Sequence, residues 1–201
     1  MFGASLSSEP YSQMHRLPTT AFLDRDGVIN RNMPSGDYVK TWDEFEFLPG
    51  AIEALRRLKA AGIRGVVVTN QRGVARGRMT MADVDGIHAR MQAELAAHDA
   101  AADLVLVCPH EKGACDCRKP ELGLFRQAQD LMPEIDFETS VVVGDSASDI
   151  VAGNSLGCAS YLVADEPRRD RILAENPEIR IAGWAPSLLD LVAGELGLPS
   201  R

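Results

Sequence analysis

Two valine triplets, Val66-Val67-Val68 and Val141-Val142-Val143, constrain the fold of this chain more than any other feature. Side chains alternate between the two faces of a strand, so three successive valines make both faces apolar. A strand of that kind must be covered on both sides, which is the situation of a central strand in a parallel sheet. The triplets sit in expected strands at residues 65–69 and 140–143, and similar short runs occupy 20–23, 104–107 and 158–163. Stretches of helical period separate them. Residues 49–59 carry Ile52, Leu55 and Leu58 on one face, with Gly62 as the stop. Residues 80–98 open on Thr80 with Asp83 three positions later, a capping-box pattern. Further helices are expected at 121–131, 147–156 and 187–196. Alternating strands and helices predict an α/β fold, a three-layer sandwich around a central parallel sheet with right-handed crossovers. No inserted block is large enough for a separate cap domain, so the crevice at the strand ends should be roofed only by loops.

A chain of 201 residues, 45% hydrophobic, suits one domain over 19–201 behind a flexible tail at 1–18. The net charge of −8 argues against a nucleic-acid partner, which calls for a basic face. It leaves room for a small phosphorylated substrate, because a few local cations and a metal can reverse the field inside one cleft. No apolar run approaches the roughly 20 residues that span a bilayer. The amino end lacks the charged-then-apolar order of a signal peptide. The expectation is a cytoplasmic monomer with no membrane partner.

Asp24-Arg25-Asp26-Gly27-Val28 follows the apolar run Ala21-Phe22-Leu23. Two carboxylates at i and i+2 point the same way from a strand end, into the crevice where open α/β sheets bind ligands. Both stay ionised only with a cation between them, or one holds a proton. A solvated turn with Gly27 at positive φ explains the pentad alone equally well. Other strand ends decide between the two readings. Thr69-Asn70-Gln71-Arg72-Gly73 offers a hydroxyl, amides and backbone N–H donors to phosphate oxygens. Arg118-Lys119-Pro120 places two cations side by side, and Gly144-Asp145-Ser146-Ala147-Ser148-Asp149 is a second acidic loop at a helix start.

Three of the four cysteines fall within ten residues, in Cys108-Pro109-His110 and Cys115-Asp116-Cys117. Disulfides need an oxidising compartment, which nothing in the sequence indicates. Three thiolates and one imidazole are instead the ligand set of a closed structural zinc site, which makes this a zinc-stabilised loop. Cys158 reads as a small buried residue at a strand start.

Taken together, Asp24-x-Asp26, Thr69, Lys119 and Gly144-Asp145-x3-Asp149 resemble the four motifs of the haloacid dehalogenase-like phosphohydrolases, over about residues 19–196. The longer strings Asp24-Arg25-Asp26-Gly27-Val28-Ile29-Asn30, Thr69-Asn70-Gln71-x-Gly73-x-x-Arg76-Gly77 and Cys115-x-Cys117-Arg118-Lys119-Pro120 are similar to one branch. That branch holds the D-glycero-D-manno-heptose-1,7-bisphosphate 7-phosphatases and the histidinol-phosphate phosphatases. The resemblance implies that Asp24 is the nucleophile, Asp26 the proton donor and acceptor, and Thr69 and Lys119 the groups that stabilise the transferring phosphate. It further implies Mg²⁺ on Asp24, the Asp26 carbonyl and Asp145, and Zn²⁺ on Cys108, His110, Cys115 and Cys117. Arg25, Asp37, Tyr38, Asn70, Gln71, Arg72 and Arg118 are the expected contacts to a phosphorylated sugar. Ser146 stands where heptose phosphatases often carry lysine, and Arg72 where serine is common. Gly36-Asp37-Tyr38-Val39 and Phe45-Glu46-Phe47-Leu48-Pro49-Gly50 extend the likeness to the heptose enzymes, while the short span between His110 and Cys115 is closer to the histidinol-phosphate enzymes. A zinc-stabilised binding domain without catalysis is the alternative from another class. The intact Asp24, Asp26, Lys119 and Asp145 weigh against it.

Overall fold

The computed structural model describes residues 17–34 and 37–198. The expected tail at 1–18 therefore lies outside the described residues except for Leu17 and Pro18. Six parallel strands form one sheet in the order β3-β2-β1-β4-β5-β6. They are β1 Thr20–Leu23, β2 Arg64–Asn70, β3 Leu104–Cys108, β4 Ser140–Gly144, β5 Ala159–Val163 and β6 Gly183–Ala185. Phe22 pairs in register with Val66 on one side and Val142 on the other, so the two valine triplets flank β1 at the centre of the sheet.

Alternation along these strands divides the core. Ala21, Leu23, Val67, Val141 and Val143 join one apolar cluster, whereas Phe22, Val66, Val68 and Val142 join another on the opposite face. The first face is covered by α1 Ala51–Ala60, α2 Met81–Ala97 and α6 Leu188–Gly194. The second is covered by α3 Gly123–Leu131, α4 Ala147–Leu156 and α5 Glu166–Glu175. This is the three-layer α/β sandwich. Each fully buried valine or leucine stabilises it by about 1.5–3 kcal/mol relative to exposure.

Local signals set the helix ends. Thr80 and Asp83 form the reciprocal capping box at the start of α2, and Gly62, at φ +74°, follows α1. Cys158 is buried at the entry to β5. The five expected strands are corrected to six, and one helix is added. β6 is three residues long, too short for a period to register, and α5 buries only Ile172, so its pattern is almost wholly polar. The longest connections at the carboxyl ends of the strands are residues 24–50 and 109–122. Among the described residues neither holds more than one 3-10 turn and no separate cap stands over the crevice. In the first, Trp42 stacks on Phe45 at 5.0 Å and Phe45 meets Phe47 edge-on at 5.0 Å, an aromatic cluster that packs the loop down onto the core.

Candidate active site

The carboxyl ends of β1, β2 and β4 converge, and the main-chain N–H of Asp24 donates to Val143 O at 2.9 Å, tying the end of β1 to that of β4. At their meeting point Lys119, almost wholly buried, donates to Asp24 Oδ1 at 2.9 Å, Asp149 Oδ1 at 2.6 Å and Val68 O at 2.7 Å. Ligand oxygens of Asp24, Asp145 and Asp149 lie within 4.8 Å of one another. Burial, with the carboxylates of Asp149, Asp145 and Asp26 around it, pushes the Asp24 carboxyl up to about 8 against the attraction of Lys119. Burial and Asp149 likewise raise Asp145, against Arg168 and Asn32. The site holds more negative charge than its cations neutralise. Its donors are all oxygens, the chemistry of a hard divalent cation, so the residues fit Mg²⁺.

Two glycines permit this crowding. A Cβ on Gly27, whose φ is +85°, would collide with the side chains of Asp145 and Asn32, and one on Gly144 would collide with the Asp149 carboxyl. Asp149 is fixed further by the Ser146 hydroxyl, which donates to Oδ2 at 2.6 Å, and so has both oxygens occupied. Asp145 is 5% exposed and accepts on Oδ2 from Arg168 at 2.6 Å and from Asn32 at 2.7 Å. Arg168 and Asn32 escaped the sequence reading. Asp165 as an N-cap, followed by Pro167, could have revealed the helix start that carries Arg168.

Asp26 is held by four hydrogen bonds: Arg25 Nη2 to both oxygens (2.8 and 3.0 Å), Asn30 Nδ2 at 2.9 Å and Gln71 Nε2 at 2.8 Å. Burial raises its pKa, but Arg25 and these donors outweigh burial and bring it below the usual carboxylate value. Thr69 is buried and its Oγ1 accepts from Gln71 at 2.8 Å, which leaves its own proton to donate.

Several of the expected substrate contacts have partners within the protein. The Arg25 side chain is wholly buried and is spent on Asp26 and His88, because it projects into the protein rather than into the crevice. Gln71 is buried between Asp26 and Thr69. Asn70 uses both ends of its amide on the Lys119 backbone, donating to O at 3.2 Å and accepting from N–H at 3.0 Å, so it secures the lysine. Arg72 and Arg76 both reach Glu111 of the cysteine loop, at 3.2 and 2.9 Å. Asp37 pairs with Lys40 at 2.8 Å. Tyr38 packs on Gly73, and its buried hydroxyl has no partner among the described residues. Nη1 of Arg118 is also buried without a partner among them.

Cys108, His110, Cys115 and Cys117 form a second group able to hold a metal. Sγ of Cys108 lies 3.6 Å from Sγ of Cys115 and 3.8 Å from Nδ1 of His110, and Cys117 lies 3.3 Å from both Cys115 and His110. A tetrahedron with the usual zinc bond lengths has edges of about 3.5–3.8 Å. The thiol and imidazole set fits zinc.

Comparison with known proteins agrees with this geometry. Residues 21–115 match the family described as haloacid dehalogenase-like hydrolase, and residues 116–191 match one described as HAD-hydrolase-like. A D-glycero-alpha-D-manno-heptose-1,7-bisphosphate 7-phosphatase of Mycobacterium tuberculosis is 46% identical over 140 residues, 69% of this chain and 73% of that protein. A D-glycero-beta-D-manno-heptose-1,7-bisphosphate 7-phosphatase of Escherichia coli K12 is 42% identical over 179 residues, 85% of this chain and 90% of that protein. The crystal structure of D,D-heptose 1,7-bisphosphate phosphatase from B. bronchiseptica, complexed with magnesium and phosphate, superposes with a TM-score of 0.80. It is 33% identical and covers 89% of this chain and 98% of that one. With its parallel sheet, its four strand-end motifs and relatives spanning most of its length, the chain belongs to the haloacid dehalogenase-like phosphatases.

Proposed function

We propose that this protein removes the 7-phosphate of D-glycero-D-manno-heptose 1,7-bisphosphate. The observation that carries the reading is Lys119 bridging Asp24 and Asp149 beside Asp145, at the ends of β1 and β4, in a chain whose relatives of similar length bear that activity in their names. Asp24 attacks phosphorus in line, so that a carboxylate oxygen–phosphorus bond forms as the bond to the sugar oxygen breaks. The leaving oxygen takes a proton from Asp26. Water then attacks the aspartyl phosphate, gives its proton to Asp26 and releases inorganic phosphate. Asp26 is ionised in the resting site, which suits the second half; the arriving phosphate dianion opposes that charge and favours the protonated form needed in the first. Thr69 donates to an equatorial phosphate oxygen, and Lys119 turns the proton that bonds Asp24 in the resting site toward another as that carboxylate attacks. Asp24 and Asp145, with the main-chain carbonyl of Asp26, would hold Mg²⁺, which neutralises charge between the attacking carboxylate and the phosphate. Asn32 and Arg168 keep Asp145 aimed. Cys108, His110, Cys115 and Cys117 would hold Zn²⁺ and so order the segment that leads directly into Arg118 and Lys119. Arg118, half-buried next to Lys119, contacts the sugar or its distal phosphate.

Phosphate release measured with both anomers of heptose 1,7-bisphosphate, histidinol phosphate and simple sugar monophosphates tests the assignment. A heptose bisphosphate is expected to give the highest kcat/KM. Faster turnover of histidinol phosphate moves the protein to the histidinol-phosphate enzymes, and no turnover of any ester leaves a binding domain.

A further inference from the structure

His88 is a buried titratable group that takes no part in the mechanism above. His88 of α2 is 7% exposed, and its Nε2 lies 2.9 Å from Nη1 of Arg25. A guanidinium has donors only, so Nε2 must be the acceptor and the ring proton sits on Nδ1. Burial and the Arg25 charge hold the imidazole neutral, its pKa pushed down to about 3.

Arg25 depends on this acceptor. Its side chain is wholly buried, its Nε has no partner among the described residues, and the Phe45 ring lies 6.0 Å from its guanidinium carbon. Two groups bond the guanidinium: His88 at Nη1, and at Nη2 both oxygens of Asp26. Without the imidazole the guanidinium loses one of its two partners and is free to turn, which pulls the Asp26 carboxylate out of line against its other donors, Asn30 and Gln71. We infer that His88 is a positioning residue, which through Arg25 aims the Asp26 carboxyl at the leaving-group oxygen. The inference rests on the proton-transfer role given to Asp26 above, and it extends the active site through the sheet end to the helix behind it.

The test compares an alkyl phosphate ester, such as the heptose bisphosphate, with p-nitrophenyl phosphate, whose leaving group departs without a proton. The quantity is kcat/KM, which reports the steps up to leaving-group departure and excludes hydrolysis of the aspartyl phosphate. General acid catalysis is worth about 10²–10⁴-fold, and a misaimed acid forfeits part of it. In His88→Leu the loss on the alkyl ester is expected to exceed the loss on the aryl ester by about tenfold or more. His88→Gln, which returns an acceptor near the Nε2 position, should restore most of that selectivity. If the leucine variant does not fold, His88→Asn, whose acceptor stops short of Arg25, replaces it. Equal losses on the two esters, or no rescue by glutamine, overturn the inference. Asp26→Asn, run alongside, separates the two readings: selective loss in Asp26→Asn without selective loss at His88 refutes only the positioning role, whereas equal losses in Asp26→Asn refute the role of Asp26 itself.

Discussion

Asp24→Asn is expected to abolish turnover and, in magnesium-free buffer, to make the protein more stable. Both donors to the Asp24 side chain, the Arg25 main-chain N–H at 2.8 Å and Lys119 Nζ at 2.9 Å, converge on Oδ1. An asparagine keeps that oxygen in place and brings an uncharged amide, not a third negative charge, among the carboxylates of Asp145 and Asp149. The folded protein holds the Asp24 carboxyl at about 8, against 3.8 for the free group. Each pH unit of displacement corresponds to about 1.36 kcal/mol, so ionised Asp24 costs at most about 5–6 kcal/mol. The side chain retains 13% of its exposure, and solvent screens part of the repulsion. We expect a gain of about 2–3 kcal/mol at pH 8. Because the folded pKa is the raised one, the folded state binds the extra proton between about pH 4 and 8. The wild type therefore loses stability as pH rises through that window, and the advantage of the variant grows with pH. Urea denaturation of both proteins at pH 5 and pH 8, with zinc retained and magnesium omitted, measures this difference. Added Mg²⁺ should stabilise the wild type more than the variant and narrow the gap. A variant no more stable than the wild type at pH 8, or a difference that does not change with pH, refutes the account of unbalanced charge; measurable turnover refutes the nucleophile.

Cys115→Ser should lower zinc from about one equivalent per chain and reduce Tm by at least about 4 °C, or roughly 2 kcal/mol in a chain of this size, with KM raised through Arg118 and Lys119; metal analysis and a thermal melt check both. Arg118→Ala should reduce kcat/KM for the heptose bisphosphate about tenfold more than for a small monophosphate, the worth of one charge-assisted pair, whereas Lys119→Ala should harm both equally. Equal losses in Arg118→Ala would place that residue on the reacting phosphate or on the loop alone. Asn70→Ala should cost about 1–2 kcal/mol in urea denaturation and lower kcat, because a buried donor and acceptor on Lys119 lose their partners; an increase in KM at unchanged stability would return Asn70 to the substrate.

The features legible in the sequence are those fixed by local pattern. Val66-Val67-Val68 and Val141-Val142-Val143 identified the centre of the sheet because two-faced burial leaves a direct trace in residue type. Position at or just beyond a strand end then placed Asp24, Thr69 and Asp145 in one crevice, and Lys119 joins them from the far end of the 109–122 connection. What spacing does not encode is which way a side chain leaves the backbone and what it meets. Arg25, between two carboxylates, reads as a substrate contact, yet it runs inward to His88, 63 positions later in the chain. Asn70 and Gln71 likewise have partners, Lys119 and Asp26, that their spacing does not disclose. Arg168 belongs to a helix whose apolar pattern is too sparse to register, so that only the Asp165 cap and Pro167 mark its start, and its bond to Asp145 depends on β4 and β5 being neighbours.

All six strands run in the same direction, so the two ends of the sheet carry different burdens. The amino-terminal end is free to be selected for stability alone. The carboxyl end carries the reactive carboxylates in braced turns at residues 24–30 and 144–149, while the loops at residues 71–80 and 109–118 are bridged by the partly exposed pairs of Arg72 and Arg76 with Glu111. Exposed pairs of that kind contribute little to folding. Mutations there can accumulate at small thermodynamic cost, so the mouth of the crevice is where a lineage could drift from one phosphorylated metabolite to another while the reaction beneath it stays the same.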